Sequence, residues 1–190
     1  MYETSNDLAA TTRRSAIEML NEHLADAIDL QLQAKQAHWN IKGPNFVGLH
    51  ELFDRIAAQA AEYSDLIAER AVALGGAARG TLQAVSAQSQ LGEYPVEVGD
   101  WRAHVHAMQD ALATFGRGVR KASDDAMELH DADTADLLTE ISRGVDKSLW
   151  MVEAHVQQAP AEAKQDEEPS ASRARNPPFV QSPPLPKKHA

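Results

Sequence analysis

The chain contains no cysteine, so disulfides, thiolate metal sites and cysteine nucleophiles are excluded outright. It has no apolar run approaching the ~18 residues that a membrane span needs. Nothing at its amino terminus has the basic and apolar regions of a secretory signal. A soluble, cytoplasmic protein with no membrane partner is the expectation. No Glu is followed three residues later by His, so the E-x-x-H pairs from which one chain builds a di-metal carboxylate bundle are missing too. No internal repeat is evident.

What the chain does have is concentrated between Lys35 and Gly76. From Asn45 onward, Leu49, Leu52, Phe53, Ile56, Ala60, Tyr63, Ile67, Ala71 and Leu74 recur every three or four residues, the period of a long amphipathic helix. Asn45 is placed to cap its start and Gly75-Gly76 to close it. The same stretch holds His38, His50, Asp54, Asp65 and Glu69 at offsets of 12, 4, 11 and 4. His50 and Asp54 lie one turn apart on this helix, as do Asp65 and Glu69, so each pair can chelate a cation.

The two pairs cannot share a cation within one chain. Eleven residues separate Asp54 from Asp65, roughly 16 Å along a helix axis, whereas metal–ligand bonds are about 2 Å. A second copy must supply the missing half. If two copies of the helix cross antiparallel about a two-fold axis, the His50/Asp54 end of one faces the Asp65/Glu69 end of the other, and symmetry makes two equivalent sites. His38, at the end of the preceding helix, is expected to fold back toward the first pair. Two imidazoles and three carboxylates suit a borderline divalent metal such as Fe(II), Mn(II) or Zn(II).

KQAHWNIKGPNF, followed by LHELFD and AERAVALGG, resembles the signature of the Dps family, the ferritin-like mini-ferritins described as DNA-binding proteins from starved cells. The resemblance covers about residues 8 to 157. It implies an all-α, ferritin-like four-helix bundle with a short extra helix in the connection between the second and third helices. It also implies an intersubunit ferroxidase centre that takes two iron ions, Fe(II) passing to Fe(III), at His38, His50, Asp54, Asp65 and Glu69. Zinc is the expected competitor for those ligands. The further implications are a hollow homododecamer that stores ferric mineral and hydrogen peroxide as the preferred oxidant. An ordinary ferritin or a di-iron hydroxylase is disfavoured by the missing E-x-x-H pairs.

Trp39 has two readings: an interface packing residue or, by resemblance, an electron donor beside the iron site. The resemblance likewise selects Asp133, Asp136 and Glu140 as acidic residues lining three-fold pores that admit iron. Capping of the last helix alone would account for Asp131 or Asp133.

The rest of the chain reads as three further helices and two ends. Ile17, Leu20, Leu24, Ile28 and Leu32 give the first helix its inward face, and His23 is taken as a surface residue. TLQAVSAQSQ supplies the short extra helix, and Asp100 caps the third, whose seam is Trp101, Val105, Met108, Leu112, Phe115 and Val119. His104 and His106, two apart, do not form a chelating pair. The fourth runs to about Gln157 with Leu138, Ile141, Val145, Leu149, Val152 and Val156 inward. Residues 1–10 are expected to form a flexible arm, 11–157 the bundle, and 158–190 a disordered proline-rich tail.

Charge decides between readings of different classes. Residues 1–157 carry 13 Lys/Arg against 24 Asp/Glu, a net of −11, and residues 158–190 carry 5 against 4, a net of +1. An acidic body repels nucleic acid and attracts cations. The alternative to an iron-oxidising store is a nucleoid-compacting protein that binds DNA without sequence preference, and its candidate contacts are Arg173, Arg175, Lys187 and Lys188 in the tail. The amino-terminal arm has Arg13 and Arg14 but no lysine cluster, unlike family members with lysine-rich arms. A third reading is a bundle whose acidic and imidazole side chains only solvate an interface.

Overall fold

The computed structural model describes residues 1–157. Its five helices are α1 (Ala10–Asn40), α2 (Phe46–Ala73), α3 (Leu82–Gln88), α4 (Trp101–Glu128) and α5 (Ala132–Glu153), and the described residues contain no strand. The connections α1–α2 and α4–α5 are too short for anything but antiparallel neighbours. α1 packs on α2, α4 on α5, α1 on α4 and α2 on α5, so four long helices enclose one core. α3 lies outside that core against α1, in the long connection that carries the chain from α2 to α4.

The core follows from the helical period. Leu49, Leu52, Phe53, Ile56, Ala60, Tyr63 and Ile67 of α2 are buried and meet Val105, Met108, Leu112, Phe115 and Val119 of α4 and Leu138, Ile141 and Val145 of α5. Each fully buried Leu, Ile or Phe contributes about 1.5–3 kcal/mol relative to exposure. The first helix departs from the expected face, because Leu32 is 48% exposed and Ile28 only half-buried. Steps of four overshoot the 3.6-residue turn by about 40° each, so by Leu32 the row has rotated off the core. Leu30, Ala34 and Ala37 take its place.

His23 also departs from expectation: its side chain is 12% exposed, and Nδ1 lies 3.6 Å from Asp26. Gly118 of α4, having no side chain, leaves room for the ring. The same flank of α1 holds the long connection in place. Asn21 donates to the Ala77 carbonyl and accepts from Arg79 N, Asp26 accepts from Gln90 N, and Asp29 accepts from the Ser89 hydroxyl.

Helix ends mostly obey their local chemistry. Asp100 accepts from Arg102 N, and Asp131 from Thr134 N. Gly75, at φ +89°, turns the chain out of α2 while its N–H and that of Gly76 donate to the Val72 and Ala71 carbonyls. Asn45 occupies the cap position of α2, but its side chain accepts no backbone hydrogen bond. The start of α2 is fastened instead by Phe46 N donating to the Gly43 carbonyl. The first nine residues, expected to fray, lie against the far end of α2: Tyr2 N donates to the Gly75 carbonyl at 2.7 Å, and Arg13 reaches the carbonyls of Leu74 and Leu8.

Candidate metal centre

The turn between α1 and α2 brings His38, in the last turn of one helix, onto His50, in the second turn of the next. Their rings stack with centroids 3.8 Å apart. His38 Nδ1 donates to the His50 carbonyl at 2.8 Å, and His50 Nδ1 donates to the His38 carbonyl at 2.9 Å. A carbonyl only accepts, so each Nδ1 bears the proton and each Nε2 keeps its lone pair. Two oriented imidazoles with free Nε2 atoms are what a divalent cation needs from histidine, and a backbone carbonyl holding the other nitrogen is the usual orienting partner. The Phe46 ring, 5.0 Å from that of His50, covers one side.

Asp54 lies one turn beyond His50, half exposed, with Oδ1 2.7 Å from Lys35 Nζ and 4.0 Å from His38 Nδ1. The hydrogen bond from Lys35 holds its carboxyl below the ordinary carboxylate range, and the charge of the same ammonium acts in the same direction. Lys35 also stands 5.7 Å from the Trp39 ring, so the ammonium lies between an aromatic face and a candidate ligand. Trp39 itself is 66% exposed and packs into no core among the described residues.

Asp65 and Glu69 are exposed further along α2 and make no side-chain hydrogen bond or ion pair with any described residue. Of the five expected ligands, the chain brings His38, His50 and Asp54 together and leaves Asp65 and Glu69 apart. Among the described residues, no group of three or more His, Asp or Glu side chains is arranged to hold a metal by itself.

Next to Glu69, Arg70 ties α2 to the start of α5. Its guanidinium donates to Asp131 Oδ1 at 2.6 Å and to Thr134 Oγ1 at 2.9 Å, and the Thr134 hydroxyl donates to Asp131 Oδ2. Asp131 is buried and belongs to this clamp, whereas Asp133, Asp136 and Glu140 are exposed along one face of α5. Arg70 approaches Asp133 at 3.8 Å, leaving Asp136 and Glu140 without a cation among the described residues. Arg173, Arg175, Lys187 and Lys188 lie outside the described residues.

Sequence reasoning passed over Lys35 and Arg70. Lys35 stands three residues before His38, on the same helix face, and that spacing was the available signal. Arg70 gave none beyond a basic residue in a last helical turn. The buried Tyr94–His104 pair, with Tyr94 Oη 2.6 Å from His104 Nδ1, packs the α3–α4 connection. Burial lowers the His104 pKa and raises that of Tyr94.

A family model for the ferritin-like domain matches residues 17–161. The chain is 46% identical to the DNA protection during starvation protein of Agrobacterium fabrum over 83% of its own length and 97% of that protein. It is 32% identical to the protein of the same name from Mycolicibacterium smegmatis, covering 83% and 88%. Among solved structures, Mycobacterium smegmatis Dps aligns with a TM-score of 0.80 at 29% identity, over 90% of this chain and 99% of that one. A Dps from Streptomyces coelicolor, DpsA14, aligns at 0.78 and 33% identity, over 83% and 93%. With the all-α bundle, the extra helix against α1 and these relatives in agreement, the chain belongs to the ferritin-like Dps family, the DNA protection during starvation proteins.

Proposed function

We propose that this chain is a ferroxidase and iron store. It oxidises Fe(II) at sites shared between two copies, uses hydrogen peroxide as oxidant, and keeps the ferric product inside a closed dodecamer. The observation that carries the reading is the division of ligands along α2: an ordered His38/His50/Asp54 cluster at one end, a bare Asp65/Glu69 pair at the other, and roughly 16 Å between them. A two-fold axis that unites the two ends passes midway between Asp54 and Asp65. There the helix carries Ala58 and Ala61 on its outer side, small enough to let a second helix approach closely.

The chemistry follows from the ligands. Two imidazole Nε2 atoms and three carboxylates hold Fe(II) and favour Fe(III) as charge develops. Two Fe(II) ions each give one electron to a peroxide. The O–O bond breaks, two protons are taken up, and two waters form without release of hydroxyl radical. Removing both reagents is how such a protein would protect DNA, the role for which its relatives are named. Asp136 and Glu140, with Asp133, form the acidic face that draws Fe(II) inward. Zinc competes for the same ligands. Trp39, beside the cluster and exposed, is placed either to pack against the second copy or to supply an electron when peroxide is in excess. No helix among the described residues is long and apolar enough to cross a membrane, and the proposed setting is the cytoplasm. Association with the nucleoid would rest on Arg173, Arg175, Lys187 and Lys188, against the net −11 of the body.

The test is iron loading of the assembled protein with anaerobic Fe(II) and measured peroxide. The expected result is two Fe(II) consumed per peroxide, no spin-trapped hydroxyl radical, and iron that travels with a particle near twelve times 20.7 kDa. Iron that stays in small-molecule form, or a particle no larger than a dimer, would overturn the reading.

A further inference from the structure

The exposed stripe of α5 changes sign partway along. In steps of three and four it carries Asp133, Asp136 and Glu140, and then Arg143 and Lys147. Beyond the change of sign, α5 and α2 bound two adjoining hollows of about 400 and 340 Å³. Gln59, Glu62 and Lys147 line both, Arg143 and Glu140 line one, and Arg55 and Ser148 the other. None of the three cations makes an ion pair among the described residues, although both glutamates line the same walls. In a chain of net charge −10, three uncommitted cations facing one groove need an explanation.

The groove also has a fixed neutral donor. Ser148 is buried and its hydroxyl donates to Gln59 Oε1 at 2.9 Å, which turns the Gln59 amide nitrogen toward the Tyr63 hydroxyl and leaves its second N–H for the groove. Gly144 lies between Arg143 and Lys147, and a side chain there would run into the Gln59 amide and the Tyr63 hydroxyl. The missing side chain lets Gln59 and Tyr63 pack against α5, so that they form the floor of the groove beneath the two cations. Arg143 and Lys147 are one helical turn apart, about 6 Å along the axis, close enough for both to reach one small anion.

We propose that this α2–α5 groove binds inorganic phosphate, held by Arg143, Lys147 and the Gln59 amide, with Arg55 contributing from the far end. A tetrahedral oxyanion accepts from several directions at once, which suits donors on two facing walls. Glu62 and Glu140 flank the cations and would repel the neighbouring phosphates of a polyanion, so a single small ion fits and a nucleic-acid backbone does not. The inference goes beyond the ferroxidase reading and does not require it. If both hold, phosphate would meet iron just past the acidic face along which iron is drawn in.

The experiment is calorimetric titration of the full-length, metal-free assembled protein with inorganic phosphate in chloride buffer, with ³¹P linewidths as an independent reading. Saturable binding of one phosphate per chain is expected, weakened about tenfold or more by Arg143→Gln or Lys147→Gln, since each removes a charge-assisted hydrogen bond. Arg143→Lys should retain most of the affinity. Arg79→Gln makes the same change in net charge, at a residue paired with Glu18 elsewhere, and should leave binding unchanged. No saturable binding, displacement by acetate at equal concentration, or an Arg79→Gln loss matching that of Lys147→Gln would each overturn the proposal.

Discussion

The two ends of α2 carry the same kind of chemistry on different supports. At the amino-terminal end, His38 and His50 fix each other through reciprocal bonds to backbone carbonyls, and Asp54 is held by Lys35. At the carboxy-terminal end the helix itself is anchored, by Arg70 to Asp131 and Thr134 and by Gly75 to the arm, but the Asp65 and Glu69 side chains are left unheld. One end is organised at the level of its ligands, the other only at the level of its backbone. Such an asymmetry suits a site assembled from two copies, because a carboxylate pair left free can settle onto an ion already oriented by imidazoles.

The strongest way to break this comparison is to separate the two ends genetically. A His50→Ala, Asp54→Ala chain and an Asp65→Ala, Glu69→Ala chain should each be inactive in Fe(II) oxidation. Reassembled at equal amounts with random pairing, they should regain about a quarter of the wild-type sites, because half of the dimers are mixed and each of those has one intact site. Demonstrated subunit mixing with no return of activity would mean that the two ends do not meet.

The anchoring of the carboxy-terminal end is tested by Arg70→Gln. It leaves the Asp131 carboxylate buried without its cation, a loss of about 3–5 kcal/mol for a broken buried pair. Denaturant unfolding at neutral pH should show it. The Asp131→Asn, Arg70→Gln double variant should recover part of the loss, whereas additive losses would mean that the pair is not coupled.

The waist between the two ends is tested at Gly144. Tyr63 lies between Asp54 and Asp65, with its ring 6.5 Å from that of Phe115 and its hydroxyl packed against Gly144 beside the Gln59 amide. Burial, with Glu62 and Glu140 adding to it and the Gln59 amide opposing it, pushes that hydroxyl's pKa up to about 12. Gly144→Ala should therefore cost about 1–3 kcal/mol by overpacking. Tyr63→Phe removes the clashing oxygen and should restore part of that stability. On its own it should cost no more than about 1 kcal/mol, because the hydroxyl it deletes has only the Gln59 amide beside it. A large loss from Tyr63→Phe alone would show that the hydroxyl gains a further partner in the assembly.

Much of this was legible in the sequence, and what was not has a common cause. The four long helices, the Asp100 start and the Gly75 stop, and the placing of the His50/Asp54 and Asp65/Glu69 pairs at opposite ends of α2 follow from period and spacing, which act within a helix or across one turn. Leu32 and His23 were misplaced because a row read in fours drifts off a 3.6-residue helix, and because the space for His23 is created by Gly118, 95 positions away in the chain. Lys35 and Arg70 escaped for the same reason, since each owes its role to a carboxylate that only the folded bundle brings near. Composition alone also hid the anion groove, because an acidic total masks three cations gathered around one groove from two helices.

The smallest expected effect distinguishes organising from competing at the amino-terminal end. Lys35 hydrogen-bonds Asp54, which lowers the carboxyl's pKa, so the folded pair contributes above the ordinary carboxylate pKa and its contribution is lost as pH falls through the depressed value. At neutral pH, Asp54 is ionised with or without Lys35, and the difference then lies in what an incoming cation must displace. An exposed pair of this kind is weak, so Lys35→Met should tighten zinc binding to the assembled protein only about two- to fivefold at neutral pH. The same change should move the acid limb of zinc binding to higher pH, as the Asp54 carboxyl returns toward its ordinary range. Zinc competition against a chromophoric chelator, with carboxyl ¹³C titration of Asp54, reads both. If Lys35→Met instead weakens zinc at neutral pH, the ammonium holds Asp54 in position for the metal, and the amino-terminal end is more fully prebuilt than its free Nε2 atoms alone imply.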